Sequence, residues 1–366
     1  MAGSPPLPPQ FPAVELSIIV PARNEESNLG ACLESLTAQT GVALEIIVVD
    51  DDSSDRTCEI AQSFSGVCVV TAAPRPDRWT GKNNAVVTGA KQTRAPWILF
   101  TDADTIHLPG SLARALNEAK NEHADLLSYS PEQTVSTFAE RAVMPVIFAE
   151  LAAQYPPQKV QEQNSGVVAA NGQYLLVRRA AYDAVGGHAA VATEILDDVA
   201  LARQFRKAGY HIYFRYGADA VRARMYRSWS QLREGWTKNL ALLFPHPSFL
   251  AFQSLILWIV AWSCLALSAT AAISRHFTWI VLAAPGLLLY RRIRPANFSI
   301  ANSLIATAFG PPIFAYLLLR SKKAHANGQV SWKGRNYDVE SESIRVSTPA
   351  AKPASSNRRQ RLRTEN

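Results

Sequence analysis

Asp102 and Asp104 stand one residue apart where the apolar run Ile98 to Thr101 ends. Such a run predicts a buried strand, and if the extended backbone continues through the pair, both carboxylates point to the same side. Two convergent carboxylates suit a hard divalent cation, Mn2+ or Mg2+, which keeps several waters and takes its remaining ligands from substrate phosphates. A nucleotide diphosphate is a natural guest for that arrangement. Asp-x-Asp also occurs as a turn or a helix cap, so the pair gains meaning only from what converges on it.

Two further polar clusters follow apolar runs in the same way. Pro21, Arg23, Asn24 and Glu25 follow Leu16 to Val20, and Asp50 to Asp55 follow Leu44 to Val49. Between them, Leu29, Cys32, Leu33 and Leu36 have helical spacing within residues 27–39. Asp55 is placed to cap a second helix, Val67 to Thr71 reads as a third strand, and a helix that starts near Gly81-Lys-Asn-Asn84 leads into the fourth strand, Trp97 to Thr101. Strands alternating with helices predict right-handed crossovers and a mostly parallel sheet, with ligands collecting beyond the carboxyl ends of the strands. The three clusters therefore converge on one crevice. Lys82, near a helix N-terminus, either adds positive charge to an anion site or is an ordinary surface lysine. Asp197 and Asp198 precede an amphipathic helical stretch, residues 199–208, that closes at Gly209; taken alone they suit the positive helix end.

Over residues 15–245, Val20 to Glu25, Val48 to Asp55, Asp102 to Asp104 and Leu196 to Ala202 occur in an order that resembles the family 2 glycosyltransferases, inverting nucleotide-sugar enzymes of the GT-A fold. Trp79 to Ala85, Thr101 to His107 and Val330 to Tyr337 are similar to the membrane branch that includes ceramide glucosyltransferase and the hopanoid- and carotenoid-associated glycosyltransferases. Asp52 stands where many relatives have Gly, and Asp197 where many have Glu; neither change removes a carboxylate. The resemblance implies an α/β, Rossmann-like nucleotide-sugar-binding domain. It makes Asp50 or Asp51 the carboxylate that meets the donor base, with Pro21, Asn24 and Glu25 shaping the wall around base and ribose. Asp102 would face the ribose side and share the metal with Asp104, the residue that would coordinate the cation bridging the two phosphates; that cation is the Lewis acid.

Inverting transfer needs a base opposite the leaving group, because the acceptor hydroxyl loses a proton as it attacks. By position in the family's Glu-Asp motif, Asp198 is that base and Asp197 its partner. Asn171 to Arg178 reads as a strand and Gly186 to His188 as a turn, together resembling the acceptor-side lip; His188 reads as a loop histidine. Gln231 to Trp236 is a degenerate Gln-x-x-Arg-Trp box that places Arg233 and Trp236, three apart on one helix face, beside diphosphate and acceptor. A plain interfacial helix explains it almost as well.

The remaining chain points to a membrane. Residues 249–274 carry no charge, and at about 1.5 Å per residue they are long enough to cross the roughly 30 Å hydrocarbon core. Residues 296–319 are equally uncharged but contain Pro311 and Pro312, which predicts a kinked span. Residues 277–290 are short and flanked by Arg275, Arg291 and Arg292, consistent with a thin span or an interfacial piece. Residues 138–155 are too charged to span and lie along a membrane or pack in the core. From Arg320 onward there are 11 Lys/Arg against 4 Asp/Glu, a surplus equal to the +7 of the whole chain. That basic tail argues for a cytosolic end drawn to an anionic membrane surface. Met1 to Gln10 is proline-rich rather than apolar, so a cytosolic catalytic part is expected.

The division expected is a disordered segment at 1–14, a catalytic domain at 15–245, two or three apolar segments at 246–320, and a basic tail at 321–366, disordered past Val346. Four cysteines without metal-ligand spacing fit a reducing compartment. The charge of the tail alone would allow nucleic acid, but the adjacent membrane favours lipid headgroups over it. The whole reads as a multi-pass, metal-dependent enzyme that moves a sugar from a nucleotide-diphosphate donor, uridine-linked by expectation, to a membrane lipid hydroxyl. A processive synthase of the chitin or hyaluronan kind and an inactive membrane scaffold are the alternatives.

Overall fold

The computed structural model describes residues 13–273, 279–328, 330–332 and 335–337. The expected disorder of the N-terminal segment and of the tail past Val346 falls largely or wholly outside the described residues.

The chain opens with β1 (Leu16–Ala22), α1 (Leu29–Thr37), β2 (Leu44–Asp50), α2 (Thr57–Gln62), β3 (Val67–Thr71), α3 (Gly81–Lys91) and β4 (Trp97–Phe100). It continues with β5 (Thr105–His107), α4 (Ser111–Asn121), β6 (Leu126–Ser130), β7 (Glu132–Gln133), α5 (Phe138–Gln154) and α6 (Pro157–Gln161). Then come β8 (Leu175–Arg178), α7 (Arg179–Ala184), α8 (Asp197–Lys207), β9 (Ile212–Tyr216), β10 (Val221–Ala223) and α9 (Trp229–Leu243). A seven-stranded sheet has the order β3-β2-β1-β4-β8-β6-β9. Only β8 runs antiparallel to its neighbours, β4 and β6. The sheet is thus mostly parallel, as its alternating elements require. Apolar runs such as Ile18 to Val20 and Ile46 to Val49 are buried because helices cover both faces. A smaller sheet, β5-β10-β7, closes one end.

Two local expectations shift. β4 ends at Phe100, so Asp102, Ala103 and Asp104 form a turn into β5 rather than a continuing strand. The two carboxylates reach a common cavity through turn geometry, not through i, i+2 strand alternation. The strand expected from Asn171 begins only at Leu175, because Asn171 to Tyr174 form a tight turn closed by Tyr174 N donating to Asn171 O at 3.0 Å.

Three apolar helices follow: α10 (Pro247–Ile273), α11 (Trp279–Ile293) and α12 (Ile300–Ala326). Two stretches, Pro247–Thr270 and Ile300–Ala326, are long and apolar enough to cross a membrane. α12 starts four residues later than its uncharged stretch, because Ser299 caps it by accepting from Asn302 N at 3.2 Å. It is a single helix through Pro311 and Pro312. Pro312 cannot donate to the Ala308 carbonyl, and the Trp258 indole of α10 does so instead at 2.8 Å. α5 resolves its two readings in favour of core packing: Ala142, Val143, Met144, Val146 and Ile147 are buried, and Thr137 with Glu140 forms a capping box at its start. The chain ends, among the described residues, in an antiparallel hairpin of β11 (Val330–Trp332) and β12 (Arg335–Tyr337).

Candidate active site

A cavity of about 330 Å³ lies beyond the carboxyl ends of β1, β2 and β4. Its lining combines polar side chains, among them Arg23, Glu25, Asp51, Lys82, Asp102, Asp104, Asp197 and Asp198, with the apolar or aromatic Phe148, Leu151, Tyr155, Tyr226, Trp236 and Leu243.

At the β1 and β2 ends, Pro21, Glu25 and Asp51 line the cavity. The Asp51 carbonyl accepts from Arg23 Nη1 at 2.6 Å, which ties the two loops. Asp50 and Asn24 are not among the lining residues. Asn24 is exposed and stitches the loops instead, its Oδ1 accepting from Ser54 N at 2.9 Å and its N–H donating to Ser53 Oγ at 3.1 Å. Asp50 is buried; Oδ2 accepts a long bond from Ser53 N at 3.4 Å, while Oδ1 has no partner among the described residues. Asp52 sits at φ +61°, a left-handed conformation that glycine adopts freely.

The Asp102 to Asp104 turn is held from beneath. Thr101 Oγ1 donates to Gln173 O at 2.7 Å, Thr105 Oγ1 donates to Asp102 O at 2.8 Å, and His107 Nε2 lies 3.1 and 3.2 Å from the two hydroxyls. Burial pushes the His107 pKa down to about 3, so the ring is neutral and serves as a hydrogen-bonding strut. Above the turn the two carboxylates part company. Asp102 Oδ1 is 2.8 Å from Lys82 Nζ, whereas Asp104 Oδ1 accepts from Gln173 Nε2 at 3.3 Å, and Gln173 Oε1 accepts from Gln133 Nε2 at the same distance. No group of three or more His, Cys, Asp or Glu side chains able to hold a metal occurs among the described residues. Two carboxylates without a third suit a cation that completes its shell from phosphate and water.

Lys82 also faces the second acidic pair. A Cβ on Gly172 would stand 3.0 Å from Lys82 Nζ and 3.5 Å from Asp198 Oδ2, so the two side chains meet across that glycine. Burial opposes the Lys82 charge, but Asp102, Asp197 and Asp198 together hold its pKa above the ordinary lysine value. It is a central counter-ion and not a surface lysine. Asp197 and Asp198 occupy the first turn of α8 rather than preceding it. Asp198 accepts from Gly172 N through Oδ2 and from Val199 N through Oδ1, both at 2.7 Å. Burial, and then the Asp197 charge, push the Asp198 pKa up to about 6, against the pull of Lys82 and the two N–H groups. Asp197 is the more deeply buried of the pair and lies 3.7 Å from His188 Nε2. His188 is a core residue, with Nδ1 3.1 Å from the Tyr182 hydroxyl; burial lowers its pKa to about 4, so it is neutral beside Asp197.

On α9, Trp236 lines the cavity, but its indole is turned into the core, Nε1 donating to Met144 Sδ at 3.3 Å. Arg233 is not among the lining residues; the cavity's cation from α9 is Lys238, with Asn239 beside it. Burial, and then Lys82, lower the Lys238 pKa while Asp197, Asp102 and Asp198 oppose the shift, which places its ammonium within range of all four charges. Gln173 falls in the segment read as the acceptor-side lip but was not singled out there, and Lys238 was not evident as a site residue in the sequence. Gln173 lies in a turn, and Lys238 is legible only once the rotation of α9 is known.

An α/β domain with a mostly parallel sheet and this acidic cleft at its carboxyl edge is of the GT-A type. Residues 17–186 match the model of Glycosyl transferase family 2. The chain is 27% identical over 345 residues to 4,4'-diaponeurosporenoate glycosyltransferase of Staphylococcus aureus (strain USA300), covering 89% of each. Among solved structures it is similar to the mannosyltransferase PcManGT from Pyrobaculum calidifontis in complex with GDP-Man and Mn2+, at 16% identity and TM-score 0.48, covering 85% of this chain and 86% of that one. It is also similar to S. aureus TarS 1-349 in complex with UDP-GlcNAc, at 17% identity and TM-score 0.41, covering 86% and 93%.

Proposed function

We propose that the chain is an inverting glycosyltransferase that moves a sugar from a uridine-linked nucleotide diphosphate to an oxygen on an apolar, membrane-borne acceptor. The observation that carries this reading is the mixed lining of one cavity, in which Asp102, Asp104, Asp197, Asp198 and Lys82 share the space with Phe148, Leu151, Tyr155 and Leu243. Shallower concavities extend it past Ala152 and Tyr216 to Arg292 and Pro295 at the end of α11. A sugar nucleotide needs the charged groups; a chain of hydrocarbon suits the apolar ones. Asp51, Glu25 and Pro21 flank the base and ribose, and Asp50 fixes the loop behind them.

The donor set fits a divalent cation at Asp104, with Asp102 next to it. When bound there, Mn2+ or Mg2+ supplies positive charge that stabilises the departing diphosphate. Lys82 adds a fixed cation at the same end. Asp198 faces the acceptor side, and a pKa near 6 leaves it ionised at neutral pH yet basic enough to take a hydroxyl proton. As that proton moves to Asp198, the acceptor oxygen bonds to the anomeric carbon. The bond from that carbon to the diphosphate oxygen breaks, and its electron pair leaves with the nucleotide.

One relative favours a variant of this reading, because diaponeurosporenoate is by name a carboxylate and not an alcohol. A carboxylate oxygen attacks without surrendering a proton, and Asp198 would then orient the acceptor without acting as base. Membranes supplied with a panel of labelled nucleotide sugars test the whole reading. Label recovered in the organic phase on a discrete product bearing one or very few sugars is the expected result. A long water-soluble polymer would point to a processive synthase, and no transfer from any donor would point to an inactive scaffold.

A further inference from the structure

The packing of α12 bears on how the chain meets a membrane. Its first half lies antiparallel along α5: Phe298 packs on Phe148, and Phe309 on Phe138. Next to the second contact, a Cβ on Gly310 would come within 2.3 Å of the Ala142 carbonyl oxygen. Its second half lies along α9. Tyr316 stacks on Trp229, Arg320 Nε donates to Thr237 Oγ1 at 3.1 Å, Ser321 Oγ donates to Thr237 O at 2.7 Å, and His325 Nε2 lies 2.8 Å from Lys238 O. Both ends of α12 are therefore fixed to helices that line the catalytic cavity. A helix of 27 residues, about 40 Å long, cannot pass through a bilayer normal to the surface while both ends remain on a domain that carries Glu140, Arg141, Glu234 and Lys238.

α10 lies over α12 in the opposite direction, with Ser248 next to Lys322 and Trp258 next to Ala308. Its buried positions are small, Ala251, Ser254, Ala261 and Ser268, and its large apolar side chains, among them Phe249, Phe252, Ile259, Val260 and Leu267, face outward. Ile300, Leu304, Phe309, Tyr316 and Leu319 extend that outward face on α12. On α10 the small residues inside and large apolar ones outside invert the soluble pattern and match a surface solvated by lipid, whereas α12 also buries Phe314, Leu317 and Leu318 against the domain. Arg291 at one end, and Lys322 and Lys323 at the other, are exposed around this face, while Arg292 is paired with Glu150 at 2.8 Å.

We propose that α10 to α12 form a monotopic attachment, lying within one leaflet with their apolar face in the acyl layer and the cations at the headgroups, so that the described chain does not cross the membrane. The occupant of the face is a lipid leaflet with anionic headgroups. This replaces the multi-pass arrangement expected from length and composition, which cannot distinguish a span from an amphiphilic slab.

The full-length chain, reconstituted in vesicles with its catalytic domain outward and with its native cysteines replaced, provides the test. Single reporters are Glu122→Cys on the catalytic domain, Pro295→Cys before α12 and Asn327→Cys after it, each exposed to a membrane-impermeant maleimide added outside or trapped in the lumen. All three should label from outside and none from the lumen. Labelling of Pro295→Cys from the lumen, or Asn327→Cys and Glu122→Cys on opposite sides, would overturn the proposal. So would a chain that stays off vesicles as a soluble oligomer, its apolar face covered by a second copy. None of these readings depends on sugar transfer, so the attachment and the activity fail separately.

Discussion

Asp198 is held by two backbone N–H groups, faces a like charge on Asp197 and shares Lys82 with Asp102. That balance sets its pH behaviour. Activity on a hydroxyl acceptor should fall as pH drops through about 6, where the base becomes protonated. Stability runs the other way: folding raises the pKa from the ordinary 3.8, so the native chain holds a proton in this window that the unfolded chain has lost, and stability falls as pH rises through it. Asp198→Asn should remove the acidic limb and lower hydroxyl transfer by roughly 10²–10⁴-fold, with donor binding near normal. With a carboxylate acceptor the same variant should lose far less, so comparing the two acceptors separates base from orienting group. Equal loss of donor binding would make Asp198 structural. Asp104→Asn removes the carboxylate proposed to hold the cation; an effect of several kcal/mol corresponds to at least ~10²-fold in rate. Transfer in excess Mn2+ should drop by that much while nucleotide affinity weakens. Full activity of this variant, or of the parent chain in chelator, would count against metal dependence.

At the level of elements, the acidic clusters were legible because each follows an apolar strand, and strand ends are where parallel sheets present ligands. The β4–β5 turn was not, because strand length depends on pairing: Phe100 is the last residue of β4 opposite β1 and β8. Position on α9 was misleading for a related reason. Arg233 and Trp236 do share a face by spacing, yet the cavity takes its cation from Lys238, since the tilt and depth of a helix are set by its neighbours α5 and α12. The contact of α12 with α5 at Gly310 is close enough to test. Gly310→Val should force the helices apart and cost about 1–3 kcal/mol, as overpacking typically does. A lower thermal midpoint together with weaker transfer is expected, because α5 and α9 both line the cavity. An unchanged midpoint would mean that α12 is not clamped there.

The whole molecule joins a polar catalytic domain to a broad apolar surface on α10 and α12. Attachment carried by apolar area resists salt, whereas attachment by the basic residues alone is screened within about 3 Å at 1 M ionic strength. The chain should therefore remain with membranes washed in about 1 M salt and leave in detergent; release by salt would assign the attachment to charge. The sequence by itself determined the α/β alternation, the acidic clusters and their likeness to family 2 glycosyltransferases, and the uncharged C-terminal helices, because these follow from spacing along the chain. Only the tertiary structure decided that Lys82 stands between two acidic pairs, that Asp102 and Asp104 have different partners, that His188 backs Asp197, and that α12 lies along α5 and α9. Those relations join residues far apart in the chain, and the same apolar stretch can face lipid, protein or both until packing chooses.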